Sequence, residues 1–175
     1  MTRRPRPSGG GVPRPASRSR RANRTSAPPL RDSNFATEDF LPYLLNQITN
    51  LSNRNFKIAL KRSPVNVKQF RVLAVSFRRP GLSLTELVEK TAIDQPTLSR
   101  MVDQLSALGL LKRETARNDG RLVSLSLTAS GERLIEDLWP IAWKHYRIGV
   151  DELTQHEEAS LIKLLKRVLN SLQAV

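Results

Sequence analysis

The stretch from Asp94 to Thr128 constrains the fold more than any other part of the chain. It opens Asp94-Gln95-Pro96-Thr97-Leu98-Ser99-Arg100-Met101-Val102 and runs through Leu105 to Leu108-Gly109-Leu110. Asp94 is an N-cap residue type, and Pro96 fits the first turn of a helix, where its missing N–H does no harm. Leu98, Met101, Val102, Leu105 and Leu108 recur at helical spacing on one face. Gly109 is the residue type that stops a helix by turning left-handed. Leu110-Leu111-Lys112-Arg113-Glu114 then reads as a strand, and Asn118-Asp119-Gly120-Arg121 as a turn. Val123, Leu125 and Leu127 alternate with Ser124, Ser126 and Thr128, the pattern of a strand with one buried face. A capped helix is thus followed by a hairpin with basic residues, Arg117 and Arg121, at its tip.

The polar side of that helix carries chemistry. Gln95, Thr97, Ser99 and Arg100 crowd into its first two turns, with Asp103, Gln104 and Ala107 further along. These side chains suit base edges and phosphates, and the N-terminal part of a recognition helix is the part that enters a major groove. Taken alone, the helix reads as an ordinary solvated face. Its position directly before a basic-tipped hairpin favours a DNA reader with a wing.

Charge supports an anionic partner, but unevenly. The 175-residue chain has a formal charge of +13, and its first 31 residues hold nine arginines and no acid. The remainder is only mildly basic, so DNA binding rests on where charges sit rather than on their sum. Residues 1–34 are rich in Arg, Pro, Ser and Gly, with too little apolar surface to offset ordering entropy, and are expected to be a disordered leader. Such an arm adds salt-dependent phosphate affinity without sequence choice. The absence of cysteine excludes disulfides, thiol redox sensing, Cys-ligated zinc and cysteine nucleophiles. No apolar run approaches the ~20 residues that span a bilayer, and no apolar region follows the basic leader as in a signal peptide. The expected setting is cytoplasmic and nucleoid-associated, with no membrane partner.

The other elements follow from caps and periodicity. A first helix is expected from near Asp39 to about Lys61, with Leu41, Leu44, Leu45, Ile48, Leu51, Ile58 and Ala59 at helical spacing. Asn66 with Gln69, Ser83 with Glu86, and Thr154 with Glu157 have the capping-box spacing. Phe70, Val72, Leu73 and Phe77 give the second helix its core side, and Pro80-Gly81 breaks it. Leu84, Leu87 and Val88 point the short third helix inward. Thr128 caps a long helix, about Ala129 to Val150, striped by Leu134, Ile135, Leu138, Ile141, Ala142 and Tyr146 and expected to kink at Pro140. The last helix carries Leu161, Leu164, Leu165, Val168 and Leu172, close to a coiled-coil seam. That seam needs a partner surface, read as a second copy of the chain.

These residues together resemble the MarR (multiple antibiotic resistance regulator) family of bacterial transcription factors. The resemblance is carried by Gln69 to Leu73, by Ser99-Arg100 and Leu105, by Gly109-Leu110 with Arg113, by Asp119-Gly120-Arg121, and by Leu125 to Gly131. It covers roughly residues 38 to 172. It implies a mainly α fold with a small β-wing, a winged helix-turn-helix plus a helical dimerisation region, forming a homodimer on a palindromic operator in double-stranded DNA. The implied organisation is a leader at 1–34, an N-terminal dimerisation helix at 35–62, the winged helix-turn-helix at 63–128 and C-terminal dimerisation helices at 129–175. Arg121 would enter the minor groove, oriented by Asp119, while Gln95, Thr97, Ser99 and Arg100 face the major groove. Pro96 departs from the family's usual pattern and stiffens that point of the helix.

The resemblance also implies a small-molecule effector, an aromatic acid or its CoA thioester, and no cofactor or metal. Candidate effector residues are Tyr43, Asn46 and Gln47 from the first helix, Phe70 and Arg71 from the second, and Trp143 with His145 beyond the expected kink. Plain packing is the competing reading for Phe70 and Trp143, and solvent or cap roles for His145 and His156. The leading expectation is a ligand-released repressor. An architectural DNA-binding protein dominated by its basic leader, or an activator of the same fold, are the alternatives. With two histidines, no cysteine and no nucleophile–base constellation, the chain does not read as an enzyme.

Overall fold

The structure is a computed structural model that describes residues 40–115 and 123–174. Arg117, Asp119 and Arg121 at the hairpin tip, and the basic leader, lie outside the described residues. The chain divides into two compact units between Tyr43 and Leu44. In the first, the Tyr43 backbone N–H donates to the Phe40 carbonyl at 2.9 Å. The elements are α1 (Leu41–Ala59), α2 (Val67–Arg78), α3 (Leu84–Thr91), α4 (Gln95–Ala107), β1 (Leu111–Thr115), β2 (Val123–Leu127), α5 (Ala129–Val150) and α6 (Gln155–Gln173). The fold is mainly helical with one small antiparallel sheet.

Each helix after α1 begins where its local chemistry says it should. Asn66 accepts from the Gln69 N–H at 3.0 Å while Gln69 Oε1 accepts from the Asn66 N–H at 2.9 Å. Ser83 with Glu86, and Thr154 with Glu157, make the same reciprocal pair. Asp94 accepts from the Thr97 N–H at 3.0 Å, and Thr128 Oγ1 from the Gly131 N–H at 3.1 Å. Each satisfies donors that the first turn of a helix leaves without a partner. At the other end of α4, Gly109 sits at φ +68°. Its N–H donates to the Ser106 carbonyl and the Leu110 N–H to the Leu105 carbonyl, both at 2.9 Å, which is the Schellman arrangement.

The core lies in the body formed by α2, α3, α4 and the sheet, closed by the first half of α5. Val72, Leu73, Leu87, Leu98, Val102 and Leu105 are fully buried, joined by Leu110, Leu111, Leu125, Leu127, Ile135 and Leu138. β1 and β2 pair in the register Leu111 with Leu127 and Arg113 with Leu125. A further bridge joins Leu82 to Leu125: the Gly81 N–H donates to the Leu125 carbonyl at 3.1 Å and the Leu125 N–H to the Leu82 carbonyl at 2.8 Å. Pro80-Gly81 is therefore more than a breaker. It carries the chain, at a Gly81 φ of +84°, into a third, one-bridge edge of the wing sheet.

Close packing fixes the wing against α5. A Cβ on Gly131 would stand 2.0 Å from the Leu110 carbonyl oxygen, so only glycine lets the first turn of α5 lie on that backbone. Thr128 reinforces the junction, donating its hydroxyl to the Gly109 carbonyl at 2.6 Å and its N–H to the Leu110 carbonyl at 3.1 Å. The α5 cap thus also closes the α4 stop.

Several expected core positions are not in the core. Phe77 and Leu108 are exposed, because the faces they extend run past the end of the packing partner; Leu108 is the C-cap of α4 and 51% exposed. Val123 is exposed where β2 leaves the hydrophobic body. On α5 the buried stripe is Ile135 and Leu138, with Ile141 and Tyr146 exposed, and the helix is continuous through Pro140. On α1 the buried residue is Phe56, not the Leu44, Ile48, Leu51 and Ile58 series, which is exposed. No residue of α6 is buried; Leu161, Leu164, Val168 and Leu172 all face outward.

Candidate nucleic-acid interface and adjoining cavity

α4 has one fully buried face and one open one. Leu98, Val102 and Leu105 lock it into the body. Gln95 and Arg100 are exposed at its N-terminal half, with Thr97 and Ser99 half-buried beside them. Arg100 makes no hydrogen bond or ion pair with any described residue. Arg113 behaves oppositely: its Nη2 lies 2.6 Å from Asp103 Oδ1, which ties β1 to the outer face of α4. Gln104 is also committed, its Oε1 accepting from Gln69 Nε2 at 3.0 Å. The guanidinium left uncommitted on α4 is therefore that of Arg100. The N–H and hydroxyl of Thr97 hold the Asp94 carboxyl below the ordinary aspartate range, with Lys68 helping, so the cap stays ionised.

Helices α3 and α4 meet at a strained turn. Ala92 caps α3 in the left-handed region at φ +52°, a conformation that costs a residue with a Cβ. Thr91 before it is buried, its hydroxyl donating to the Leu87 carbonyl at 2.6 Å. Arg71 on α2 donates from Nη1 to the Thr91 carbonyl at 3.4 Å. The turn that aims α4 is thus held from outside by α2.

An open cavity of about 440 Å³ adjoins this turn. Phe56, Phe70 and Trp139 give it aromatic walls, and Arg71, Arg78, Arg79 and Lys90 give it four cations. Among the described residues none of the four is in an ion pair. Trp139 and Arg78 also border a second cleft of about 330 Å³, with Phe77, Ile135 and Pro140.

Of the residues singled out for an effector, Phe70 and Arg71 line this cavity; the others do not. Asn46 and Gln47 are exposed on α1, and Asn46 accepts from Asn50 Nδ2 at 3.2 Å. Tyr43 is exposed in the other unit. Trp143 borders a different hollow, between α5 and α6, with Arg147, Glu158 and Ile162. His145 is a packing residue: its ring stacks on Phe56 at 5.4 Å, and its Nε2 lies 3.0 Å from the Ser52 carbonyl, so that nitrogen carries a proton. It supports the back of a wall that Phe56 presents to the cavity. The tryptophan at the cavity is Trp139, one turn before Trp143. The signal was in the spacing, since Trp139 stands four residues after buried Ile135.

The MarR family model matches residues 63–122, which hold α2, α3, α4 and β1. An HTH-type transcriptional regulator of Bacillus cereus is 30% identical over 140 residues, spanning 79% of this chain and 92% of that protein. The chain belongs to the MarR family. Members of the MarR family are DNA-binding transcription factors, not enzymes, and the described fold is the family's winged helix-turn-helix. The transcriptional repressor NicR of Pseudomonas putida is similar at 25% identity over 146 residues, 83% of this chain and 92% of that protein. Among solved structures, Bordetella bronchiseptica BpsR, whose DNA binding is regulated by 6-hydroxynicotinic acid, superposes with a TM-score of 0.68. It is 27% identical, covering 77% of this chain and 96% of that one. No helix among the described residues is long and apolar enough to cross a membrane.

Proposed function

We propose that this MarR-family protein is a homodimeric repressor that leaves a palindromic operator when a small aromatic acid or its CoA thioester binds. The observation that carries the reading is the division of labour on α4. Leu98, Val102 and Leu105 on its inner face are wholly buried, Asp103 and Gln104 are held by neighbouring elements, and Arg100 with Gln95 is left exposed and unengaged. A guanidinium can make two hydrogen bonds to one guanine, and the glutamine amide can do the same to adenine. Thr97 and Ser99 flank them. Asp119 and Arg121 would work from the wing, with Arg117 beside them and the leader arginines adding phosphate affinity.

Dimerisation is assigned to residues 35–62 and 129–175. The support is α6, none of whose residues is fully buried and which keeps a row of leucines outward, and the exposed Leu44, Ile48 and Leu51 of α1. Apolar surface of that extent is characteristic of an interaction face. The effector is assigned to the cavity of Phe56, Phe70 and Trp139, whose aromatic walls and ring of cations suit an aromatic carboxylate. Arg78, Arg79 and Lys90 at its edge would also receive the phosphates of a thioester. The regulation of BpsR by an aromatic acid is a parallel in a similar fold.

Arg100→Ala tests the DNA reading. Titrated at fixed salt against a duplex selected by the wild type, it should lose about 1–3 kcal/mol of binding to that duplex, with little change on unrelated DNA. Equal losses on both duplexes would reduce Arg100 to a phosphate contact, and no loss would remove α4 from the interface.

A further inference from the structure

Helix α2 holds the recognition helix by two polar ties. Buried Gln69 completes the α2 capping box with its Oε1 and donates from Nε2 to Gln104, in the second half of α4. Arg71, two residues on, donates to the Thr91 carbonyl, immediately before the strained Ala92 and three residues before the Asp94 cap. Only the second tie reaches the cavity, because Arg71 is also one of its lining cations. Lys90, beside Thr91 on the last turn of α3, is another.

We infer that Arg71 is the residue that reports an anion in the cavity to the DNA-reading helix, by exchanging the Thr91 carbonyl for the ligand's carboxylate. The inference rests on the reading of the cavity as the effector site. The exchange is favoured in direction. At 3.4 Å the bond to Thr91 is long and its acceptor neutral, whereas a carboxylate offers a charge-assisted and bidentate alternative. Ala92 prefers to leave the left-handed region, so the turn relaxes once the outside tie is withdrawn. The Gln69–Gln104 bond does not face the cavity and stays. The recognition helix is then fixed at its C-terminal half and freed at the end that bears Gln95, Thr97 and Arg100. This gives the ligand the differential interaction with two states that any release mechanism needs.

The test is deuterium exchange of the full-length protein, with cavity occupancy read by fluorescence in the Trp143→Phe background, which leaves Trp139 as the sole tryptophan. Benzoate, 6-hydroxynicotinate and benzoyl-CoA are the probes. Where Trp139 is quenched, the amides of Ala92, Thr97 and Leu98 should exchange about ten times faster or more, on the scale of one lost hydrogen bond to a charged group. Those of Val102 to Leu105 should be unchanged. Ligand-free Arg71→Met should show the fast pattern without any acid; Arg71→Lys, with one donor direction in place of a fork, should lie between and serves if the methionine variant does not fold. Quenching of Trp139 with unchanged exchange at Ala92 and Thr97 overturns the inference and leaves the cavity as a ligand site. No quenching by any of the three probes overturns the inference and the effector reading together.

Discussion

The body of α2 to β2 and the pair α1 and α6 have similar amphipathic sequences and opposite fates. In the body, leucines at helical spacing become Leu73, Leu87, Leu98 and Leu105, all fully buried. On α6 the same spacing yields Leu161, Leu164 and Leu172, all exposed, and on α1 Leu44, Ile48 and Leu51. Periodicity states that a helix has an apolar face; it does not state which surface covers it. The body covers most of its apolar faces within one chain. The outer helices leave theirs open, and in the homodimer proposed above their stability would be linked to association.

The largest effect should come from Gly131→Ala, which drives a Cβ into the Leu110 carbonyl where the body meets α5. Neither backbone can yield cheaply, and urea denaturation should register a loss of about 3 kcal/mol or more. A near-neutral result would mean that the wing and α5 are not rigidly joined. The matched pair Leu105→Ala and Leu164→Ala addresses the two regions directly. The first should cost about 2–5 kcal/mol of folding stability by opening a cavity in a filled core. The second should cost the isolated chain no more than about 0.5 kcal/mol, as for other exposed positions, while raising the concentration at which sedimentation detects dimers. Similar folding losses for both would erase the distinction.

The smallest effect is set by pH. Glu86 caps α3 in the body and Glu157 caps α6 outside it. Backbone and hydroxyl donors at Ser83 lower the Glu86 pKa, and the hydroxyl and backbone of Thr154 lower that of Glu157. A folded-state pKa below the unfolded one contributes stability that is complete above the ordinary glutamate range and is lost as pH falls through the folded value. Both caps weaken on acidification, but α3 is also held by buried Leu87 and α6 has no buried residue. Amide spectra should therefore show α6 fraying before α3 below the ordinary glutamate range. Glu157→Gln, which can still accept from Thr154, should weaken the acid dependence at α6, leaving the part carried by the Arg147–Glu158 ion pair; simultaneous loss of both helices would show that α6 is not the weaker element.

What could be read in advance was local. Asn66 with Gln69, Ser83 with Glu86, Asp94, Thr128, and Thr154 with Glu157 cap their helices as their side-chain chemistry requires, and Gly109 stops α4 with the left-handed turn its position suggests. What escaped was non-local. Nothing near Leu82 announces that its backbone pairs with Leu125, forty-three residues on. Phe77, Leu108 and Val123 continue apolar patterns beyond the reach of their packing partners. The cavity shows the same limit: Phe70 and Arg71 were legible from α2, but the choice of Trp139 over Trp143 depends on which turn of α5 lies over α2. Phe56 gained its place because His145 stacks behind it.

In vitro selection from random duplexes with the full-length protein tests the central claim most directly, because it interrogates the reading helix and the open outer helices at once. Two copies, each presenting one α4, should enrich an inverted repeat whose half-site centres lie about one helical turn, roughly 10 base pairs, apart. Enrichment of a single unpaired half-site, or of no sequence at all, would contradict a paired reader built from this chain.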